Sequence, residues 1–549
     1  MVGRPDEKSS FFNVFEASVR GQGGEMTGAP DSMNDNSKYR RVDLDVDNED
    51  NDDYLDGETD RYRHQMDRRR RRDAARFAYA SAVFASLNTI LLGYDGGVMS
   101  GAILFIQEDL KITEVQVEVF VGFASFVSLI GSLGGGKMAD LIGRKWTMGL
   151  ASVVFQAGNL IMTLARSFEV LMAGRLLAGI GAGIGFVASV VYIAEISPTI
   201  SRGTLTSFPE IFVNFGILLG YVSNYAFAGL PINLNWRVML GVGILPSVFL
   251  AIALFIIPES PRWLVMQNRI DDARSVLLKT HESEKEVDEQ LAEIMWAANA
   301  GGTQNHEEKG AWQNILKPSA SLWRMLVTGI GIQCFQQITG IDAMVYYSPR
   351  IFKDAGIKDT SSLLAATIAV GITKTSFILV AIILIDKLGR KPLLYVGTIG
   401  MTICQFITGA SLSLHIRGQM GAALTILSVC GNVAFFSIGI GPICWVLTSE
   451  IFPLRLRALA TALGSIGNRV CNGLITMSFL SMARSITVGG TFFLYAALSA
   501  LSVAFVYALV PETKGKSLEE IEMLFRGQSN LRRRGVELGE ADHDIVLGK

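Results

Sequence analysis

Asp140-Leu-Ile-Gly-Arg-Lys145 returns later in the chain as Asp386-Lys-Leu-Gly-Arg-Lys391, and this repetition decides the fold. Glu195 with Arg202 is likewise echoed by Glu450 with Arg457, and Pro258-Glu259-Ser260 by Pro511-Glu512-Thr513. All three echoes keep an offset of roughly 250 residues, which chance similarity would not maintain, so the chain reads as two related halves.

Around the repeats the chain is apolar. Of 549 residues, 50% belong to the set AVILMFWYC and 18% are charged, with a mean hydropathy of +0.35, too apolar for an ordinary soluble domain. Apolar segments recur near 77–100, 117–136, 146–165, 170–193, 208–228, 237–257, 324–349, 362–385, 392–412, 422–449, 459–482 and 489–510. Each is long enough to cross a hydrocarbon core of roughly 30 Å as a helix, which takes about 20 residues. They are too continuously apolar for the alternating strands of a barrel. The expected fold is therefore all-α, with 12 transmembrane helices in two six-helix bundles, 77–257 and 322–510.

Lys and Arg concentrate in short cytoplasmic loops. Arg68 to Arg72, Arg144 and Lys145, Arg202, Lys387, Arg390 and Lys391, Arg455 and Arg457, and Lys514 and Lys516 all fall on one side of this topology, which puts both termini in the cytosol. Residues 1–76, with an acidic run from Asp43 to Asp60 before the basic one, hold too few apolar residues to build a core and are expected to be a disordered cytosolic tail. Residues 258–321 read as a cytosolic linker with surface helices, and 511–549 as a second cytosolic tail. The formal net charge of -2 averages these tails and loops and gives no reason to expect a nucleic-acid partner. The hydrophilic start shows no secretory signal.

Cys334, Cys404, Cys430, Cys444 and Cys471 fall in apolar stretches without the close pairs of a zinc or redox site, and the histidines are scattered, so no metal or other cofactor is expected. Gly131 to Lys137 nearly spells a phosphate-binding loop, but Met138 stands where a hydroxyl is needed and no strand precedes it. Gly179, Gly181, Gly183 and Gly185 lie in a span and read as helix-packing residues. No nucleophile, base and oxyanion set is recognisable, so an enzyme is not expected.

Charges inside the spans are more telling. Asp95 and Arg175 sit at depths where a charge costs at least about 2.5 to 3.5 kcal/mol unless paired or wetted. Two readings stand: a static pair, or a proton site. Burial disfavours a carboxylate and a nearby guanidinium favours it, so a carboxyl whose surroundings alternate between the two exchanges a proton. Gln333, Gln336, Gln337, Thr339 and Asn432, with Asp342, Asn468 and Asn472, form a polar set beside Trp445 and Tyr346. Amides supply both donors and acceptors and an aromatic packs on a carbon face, which suits a sugar-like solute. In one straight span Gln336, Gln337 and Asp342 cannot all face one way, so some are equally readable as helix glue. Arg144 or Arg390 against Glu195 or Glu450, with Arg202 and Arg457, form a candidate cytoplasmic gating network, its effect lying in being made in one state and broken in another.

The combination of Gly93-Tyr-Asp-Gly-Gly-Val-Met-Ser-Gly101, Gly143-Arg-Lys145, Arg175-Leu-Leu-Ala-Gly179, Tyr192-Ile-Ala-Glu195, Pro258-Glu-Ser-Pro-Arg262, Gln336-Gln337, Gly441-Pro-Ile-Cys-Trp445 and Pro511-Glu-Thr-Lys-Gly515 resembles the sugar porter family of the major facilitator superfamily from about Phe77 to Ile521. Ser207-Phe-Pro-Glu210, Gly340-Ile-Asp342 and Ser449 to Arg457 are most similar to plant polyol and monosaccharide proton symporters. The resemblance implies alternating access, Asp95 as proton carrier with Arg175 as its partner, and Gln336, Gln337 and Trp445 as solute contacts. The sequence departs from the hexose pattern at Glu210, Asp342 and Asn468, where hexose carriers often have Gln, Asn and Gln. Carboxylates accept paired hydrogen bonds from vicinal hydroxyls, which suits a linear polyol or an inositol, although Glu210 is also readable as a second proton site. The expected partners are a polyol or monosaccharide, a proton and membrane lipid. The plasma membrane is the family's default, with the vacuolar membrane as alternative. A facilitative uniporter and a non-transporting nutrient receptor are the rival functions. Arg68 to Arg72 read either as part of the receptor's signalling tail or as a contact for anionic lipid.

Overall fold

The structure is a computed structural model that describes residues 49–525 apart from 199–200, 282, 301–314, 316–317, 415–417, 453, 517–519 and 522. The chain divides into two compact units, Met1–His64 and Gln65–Lys549, and apart from the start of α1 the features below belong to the second.

Helices follow one another with short connections: α1 (Glu49–Leu110), α2 (Glu114–Ile142), α3 (Arg144–Leu164), α4 (Phe168–Ile196), α5 (Arg202–Leu205), α6 (Phe208–Phe227), α7 (Ile232–Val242) and α8 (Ile244–Ile256). Then come α9 (Pro261–Met266), α10 (Ile270–Thr280) and α11 (Glu284–Ala300), which enclose a small apolar core around Leu264, Val276, Leu277 and Val287. The second half holds α12 (Ala320–Ile338), α13 (Ile341–Asp354), α14 (Thr360–Leu388), α15 (Arg390–Ser413), α16 (Gln419–Ile438), α17 (Ile440–Ile451) and α18 (Leu454–Leu509). Among the described residues, 10 helices are long and apolar enough to cross a membrane.

Each of the twelve expected segments lies on these helices to within a residue at its ends. Two of them share α18, whose 56 residues would extend roughly 84 Å at 1.5 Å per residue, and Thr487, at φ 69° and ψ 161°, breaks it. The segment expected at 324–349 is split at Gly340, whose φ of 81° ends α12 and starts α13. A side chain there would meet the Tyr495 ring at 2.7 Å, so glycine answers both the backbone and the packing.

The tail expected to be without structure as far as residue 76 is helical from Glu49 onward. Propagating an existing helix costs far less than nucleating one, and the run of Arg68 to Arg72 with Ala74 and Ala75, all good helix formers, carries the apolar part of α1 toward its amino-terminal end. Residues 1–48 and 526–549 of the expected tails lie outside the described residues.

The two repeated motifs explain each other. Gly143 (φ 94°) and Gly389 (φ 95°) each end one helix and begin the next, leaving the first N–H groups of α3 and α15 without helical acceptors. The Glu259 carboxylate accepts from the backbone N–H of Arg144 (3.0 Å) and Lys145 (3.1 Å). Glu512 does the same for Arg390 (3.1 Å) and Lys391 (3.0 Å). In both halves an acidic side chain sits at the positive end of a helix, which is why the Gly-Arg-Lys and Pro-Glu-Ser or Pro-Glu-Thr motifs recur together.

Candidate functional site

A cavity open to solvent, of about 160 Å³, lies between the halves. Asp95, Arg175 and Glu210 line it from the first half; Gln336, Gln337, Asp342, Trp445 and Asn468 line it from the second. These eight residues thus reach one cavity, whereas Thr339 of the polar set does not line it. The break at Gly340 resolves the geometric objection: Gln336 and Gln337 sit on α12, Asp342 on α13, and the three are free to converge.

Arg175 Nη1 donates to Asp95 Oδ1 (2.7 Å) and Oδ2 (2.6 Å), with only 1% and 11% of the two side chains exposed. Arg175 Nε donates to the Phe120 carbonyl at 3.3 Å, and Nη2 is buried without a hydrogen-bond partner among the described residues. Removing either member of such a buried pair costs about 3–5 kcal/mol because the other charge is left uncompensated.

In the second half the amides bond to one another. Asn468 Nδ2 donates to Gln336 Oε1 (2.6 Å) and Gln333 Oε1 (3.1 Å); Gln337 Nε2 donates to Asn468 Oδ1 (3.3 Å); Asn472 Nδ2 donates to Gln337 Oε1 (2.9 Å) and to the Asp342 carboxylate. Gln336 Nε2 also donates to the Gly441 carbonyl at 2.8 Å. Gln333 and Asn432 do not line the cavity; Asn432 Nδ2 instead meets Met344 Sδ at 3.2 Å.

Two charged cavity residues escape the sequence reading: Lys374 on α14, 7% exposed, and Arg469 on α18. The rule that singled out Asp95 and Arg175, a charge inside an apolar span, applies equally to both.

At the Gly-Arg-Lys end the ion pairs among the described residues join candidate gating residues of the same half. Arg144 grips Glu195 through Nε (2.9 Å) and Nη2 (3.0 Å), reaches Asp140 at 3.1 Å, and Ser260 Oγ donates to Glu195 at 2.5 Å. Arg390 Nη2 donates to Glu450 at 2.8 Å, and Thr513 Oγ1 donates to the same carboxylate at 2.6 Å. Arg457, expected in this network, instead donates through Nε to the Phe452 carbonyl at 3.3 Å, where α17 ends and its last carbonyls need partners. The Arg202 side chain lies outside the described residues.

The opposite end is bridged between halves. Glu118 on α2, 3% exposed, accepts from Ser481 N and Oγ of α18, both at 2.6 Å. Glu114 accepts from Arg350 Nη2 (3.3 Å) and from Arg484. Deeper in, Ser125 Oγ donates to Asn472 Oδ1 at 2.6 Å and Tyr221 OH to the Val345 carbonyl at 3.0 Å. The sequence reading passed over Glu114 and Glu118, which lie at and beside the start of an expected span, where charges are ordinary.

Two helical halves, a polar cavity between them and an ion pair buried beside it define a multi-pass membrane transporter. The family described as "Sugar (and other) transporter" matches residues 81–525. "Probable polyol transporter 4" of Arabidopsis thaliana is 60% identical over 509 residues, covering 93% of this chain and 94% of the relative; "Polyol transporter 5" of the same plant is 46% identical over 466 residues, covering 82% and 86%. Among solved structures, the "proton:xylose symporter XylE bound to 6-bromo-6-deoxy-D-glucose" superposes with a TM-score of 0.68 at 28% identity, covering 82% of this chain and 99% of that one. The "inward open conformation of the xylose transporter XylE from E. coli" gives a TM-score of 0.70 at 28% identity, covering 81% and 99%. This chain belongs to the sugar transporter family of the major facilitator superfamily, has that superfamily's fold, and is a transporter of sugars or polyols rather than an enzyme.

Proposed function

We propose that the protein is a proton-coupled symporter that imports polyols, and monosaccharides as a second class, by alternating access, with both termini in the cytosol and the plasma membrane as its site. The observation that carries this is the buried Asp95–Arg175 pair lining the same cavity as the amides and Trp445. A proton arriving on Asp95 cancels its attraction to Arg175, freeing a guanidinium that already has one unpartnered nitrogen. Loss of the pair loosens α1 from α4 next to the solute, which joins protonation to rearrangement. Glu210, Gln336, Gln337, Asp342, Trp445 and Asn468 hold the solute.

The bridged end around Glu114 and Glu118 is the extracellular one, so this conformation faces the cytosol. The Arg144–Glu195 and Arg390–Glu450 pairs, each within one half, are reshaped when that face closes. Arg69 to Arg72 meet the anionic headgroups of the cytosolic leaflet. Each proton contributes about 2.3 kcal/mol per 100 mV and about 1.36 kcal/mol per pH unit, sufficient to concentrate a neutral solute strongly.

The test is uptake of radiolabelled sorbitol, myo-inositol and glucose by cells lacking their own carriers, with and without a protonophore, for the unaltered protein and Asp95→Asn. Concentrative, protonophore-sensitive uptake that Asp95→Asn reduces to equilibration is expected. Equilibration by both proteins would make it a uniporter, and no uptake despite surface expression would favour a receptor.

A further inference from the structure

The cavity carries more charge than its proton pair needs. Beyond Asp95 and Arg175 it is lined by two carboxylates, Glu210 and Asp342, and two cations, Lys374 and Arg469. Their partners are uneven. Glu210 Oε1 accepts from Asn214 Nδ2 at 3.3 Å, and Asp342 accepts from Asn472. Among the described residues neither Lys374 nor Arg469 has a carboxylate within 4 Å: Lys374 Nζ faces the Phe436 ring at 6.0 Å and the Arg469 guanidinium faces the Phe186 ring at 5.5 Å. Both are nonetheless close enough to act on the charge of Glu210. The acids accept from neutral amides, while both cations line the cavity without a carboxylate partner among the described residues.

Position adds to this. Thr375 Oγ1, next to Lys374, donates to the Asn214 carbonyl at 3.2 Å, and Asn214 Nδ2 donates to the Glu210 carbonyl at 2.7 Å. Lys374 on α14 therefore lies close in the chain to the contact with the turn of α6 that carries Glu210, and the two residues belong to opposite halves of the molecule and line the same cavity. The four charges sum to zero, so a neutral solute enters without leaving net charge behind. An anionic or cationic solute would leave one.

We propose that Lys374 and Arg469 are specificity-determining residues that donate hydrogen bonds to the hydroxyl oxygens of a neutral polyol, while Glu210 and Asp342 accept from its hydroxyl protons. A vicinal diol spanning Glu210 and Lys374 ties the two halves together through the solute. A site built to bond a hydroxyl rejects the analogue lacking it, by roughly 10⁴-fold where buried polar groups are left unpaired. This inference rests on the transport reading above and names the groups that select its solute.

The test measures concentration dependence of sorbitol uptake for the unaltered protein, Lys374→Met, Lys374→Arg, Arg469→Gln and Arg469→Lys, normalised to surface protein, with competition by sorbitol and by a deoxy analogue lacking one hydroxyl. Lys374→Met and Arg469→Gln are each expected to raise KM at least tenfold with maximal rate per transporter within twofold, and to shrink the preference for sorbitol over its deoxy analogue. Lys374→Arg and Arg469→Lys keep the charge but move the donors, and are expected to raise KM about threefold and to shrink the preference less than the neutral variants do. Unchanged KM and unchanged preference in Lys374→Met and Arg469→Gln would overturn the proposal and make the cations structural counter-ions. Should a neutral variant fail to reach the surface, the charge-keeping pair decides: unaltered KM and preference in both, where shape and donor geometry have changed, would equally overturn it. No uptake of any polyol or sugar by the unaltered protein would instead defeat the transport reading on which the proposal stands.

Discussion

The two ends of the bundle hold their charges differently. At one end, Glu114 and Glu118 of α2 reach across to Arg350, Arg484 and Ser481, so the ionic contacts join the halves. At the other, each ion pair described stays within a half: Arg144 with Glu195 and Asp140, Arg390 with Glu450. The backbone agrees. Gly122, near the bridged end, packs so closely on α18 that an added Cβ would meet Met477 at 2.2 Å, whereas Gly134 and Gly136 near the other end face open space. Among the described residues the bundle is tied at one end by contacts between halves and at the other by contacts within each half, the arrangement that the proposed rocking of the halves requires.

The comparison breaks most readily at Arg144. Arg144→Ala leaves Glu195 uncompensated where both side chains are nearly buried, at 7% and 11% exposure, and is expected to cost about 3–5 kcal/mol. Thermal unfolding of the purified protein in detergent should show it, with a smaller loss for Arg390→Ala, whose partner Glu450 is better solvated.

Glu118→Gln acts at the tied end. Weakening two bonds to a buried carboxylate, at about 2 kcal/mol together, shifts the equilibrium roughly 30-fold toward the state open at that end. An impermeant maleimide applied outside should then label a cysteine at Val213 in the cavity faster than in the unaltered background.

The glycines test the symmetry between halves. Gly143→Ala and Gly389→Ala each force a side chain into a backbone region that essentially only glycine adopts, at about 1–3 kcal/mol. Gly143→Ala also drives a Cβ to 2.4 Å from Glu259 against 3.0 Å from Glu512 for Gly389→Ala, so the former should lower the unfolding temperature further.

The smallest expected effect is on pH dependence. Burial pushes Glu259 above the usual glutamate range despite its backbone donors, while at Glu512 the N–H groups of Lys514, Arg390, Lys391 and Thr513 outweigh burial and hold it below. A raised carboxyl favours the folded state below the ordinary glutamate range and loses that contribution as pH rises through its folded value. A lowered one contributes above that range and loses it as pH falls. Glu512→Gln should therefore cost more than Glu259→Gln at neutral pH, with the gap closing near about pH 4 as measured by unfolding.

Much of this was legible in the residues. Span length and apolarity placed the helices, and depth marked Asp95 and Arg175 because an unpaired charge there is costly. The repeats announced two halves, and the structure adds that Glu259 caps the helix opened by Gly143, a contact between residues 115 apart that spacing does not encode. Lys374 and Arg469 were visible to the same rule and were passed over, while the convergence of Gln336, Gln337 and Asp342 depended on a break at Gly340 that a straight-span reading concealed. The tie at Glu118 is a tertiary fact, since nothing local distinguishes a glutamate that crosses between halves from one that faces water.

The most direct test of the rocking account is a pair of electron-spin distances in a background without the five native cysteines. One pair of labels sits across the tied end, at Val115 and Ile486, and one across the other, at Leu141 and Leu388, four exposed positions. The account predicts that acid pH with sorbitol lengthens the first distance while shortening the second. Distances that stay fixed, or that lengthen and shorten together, would contradict it.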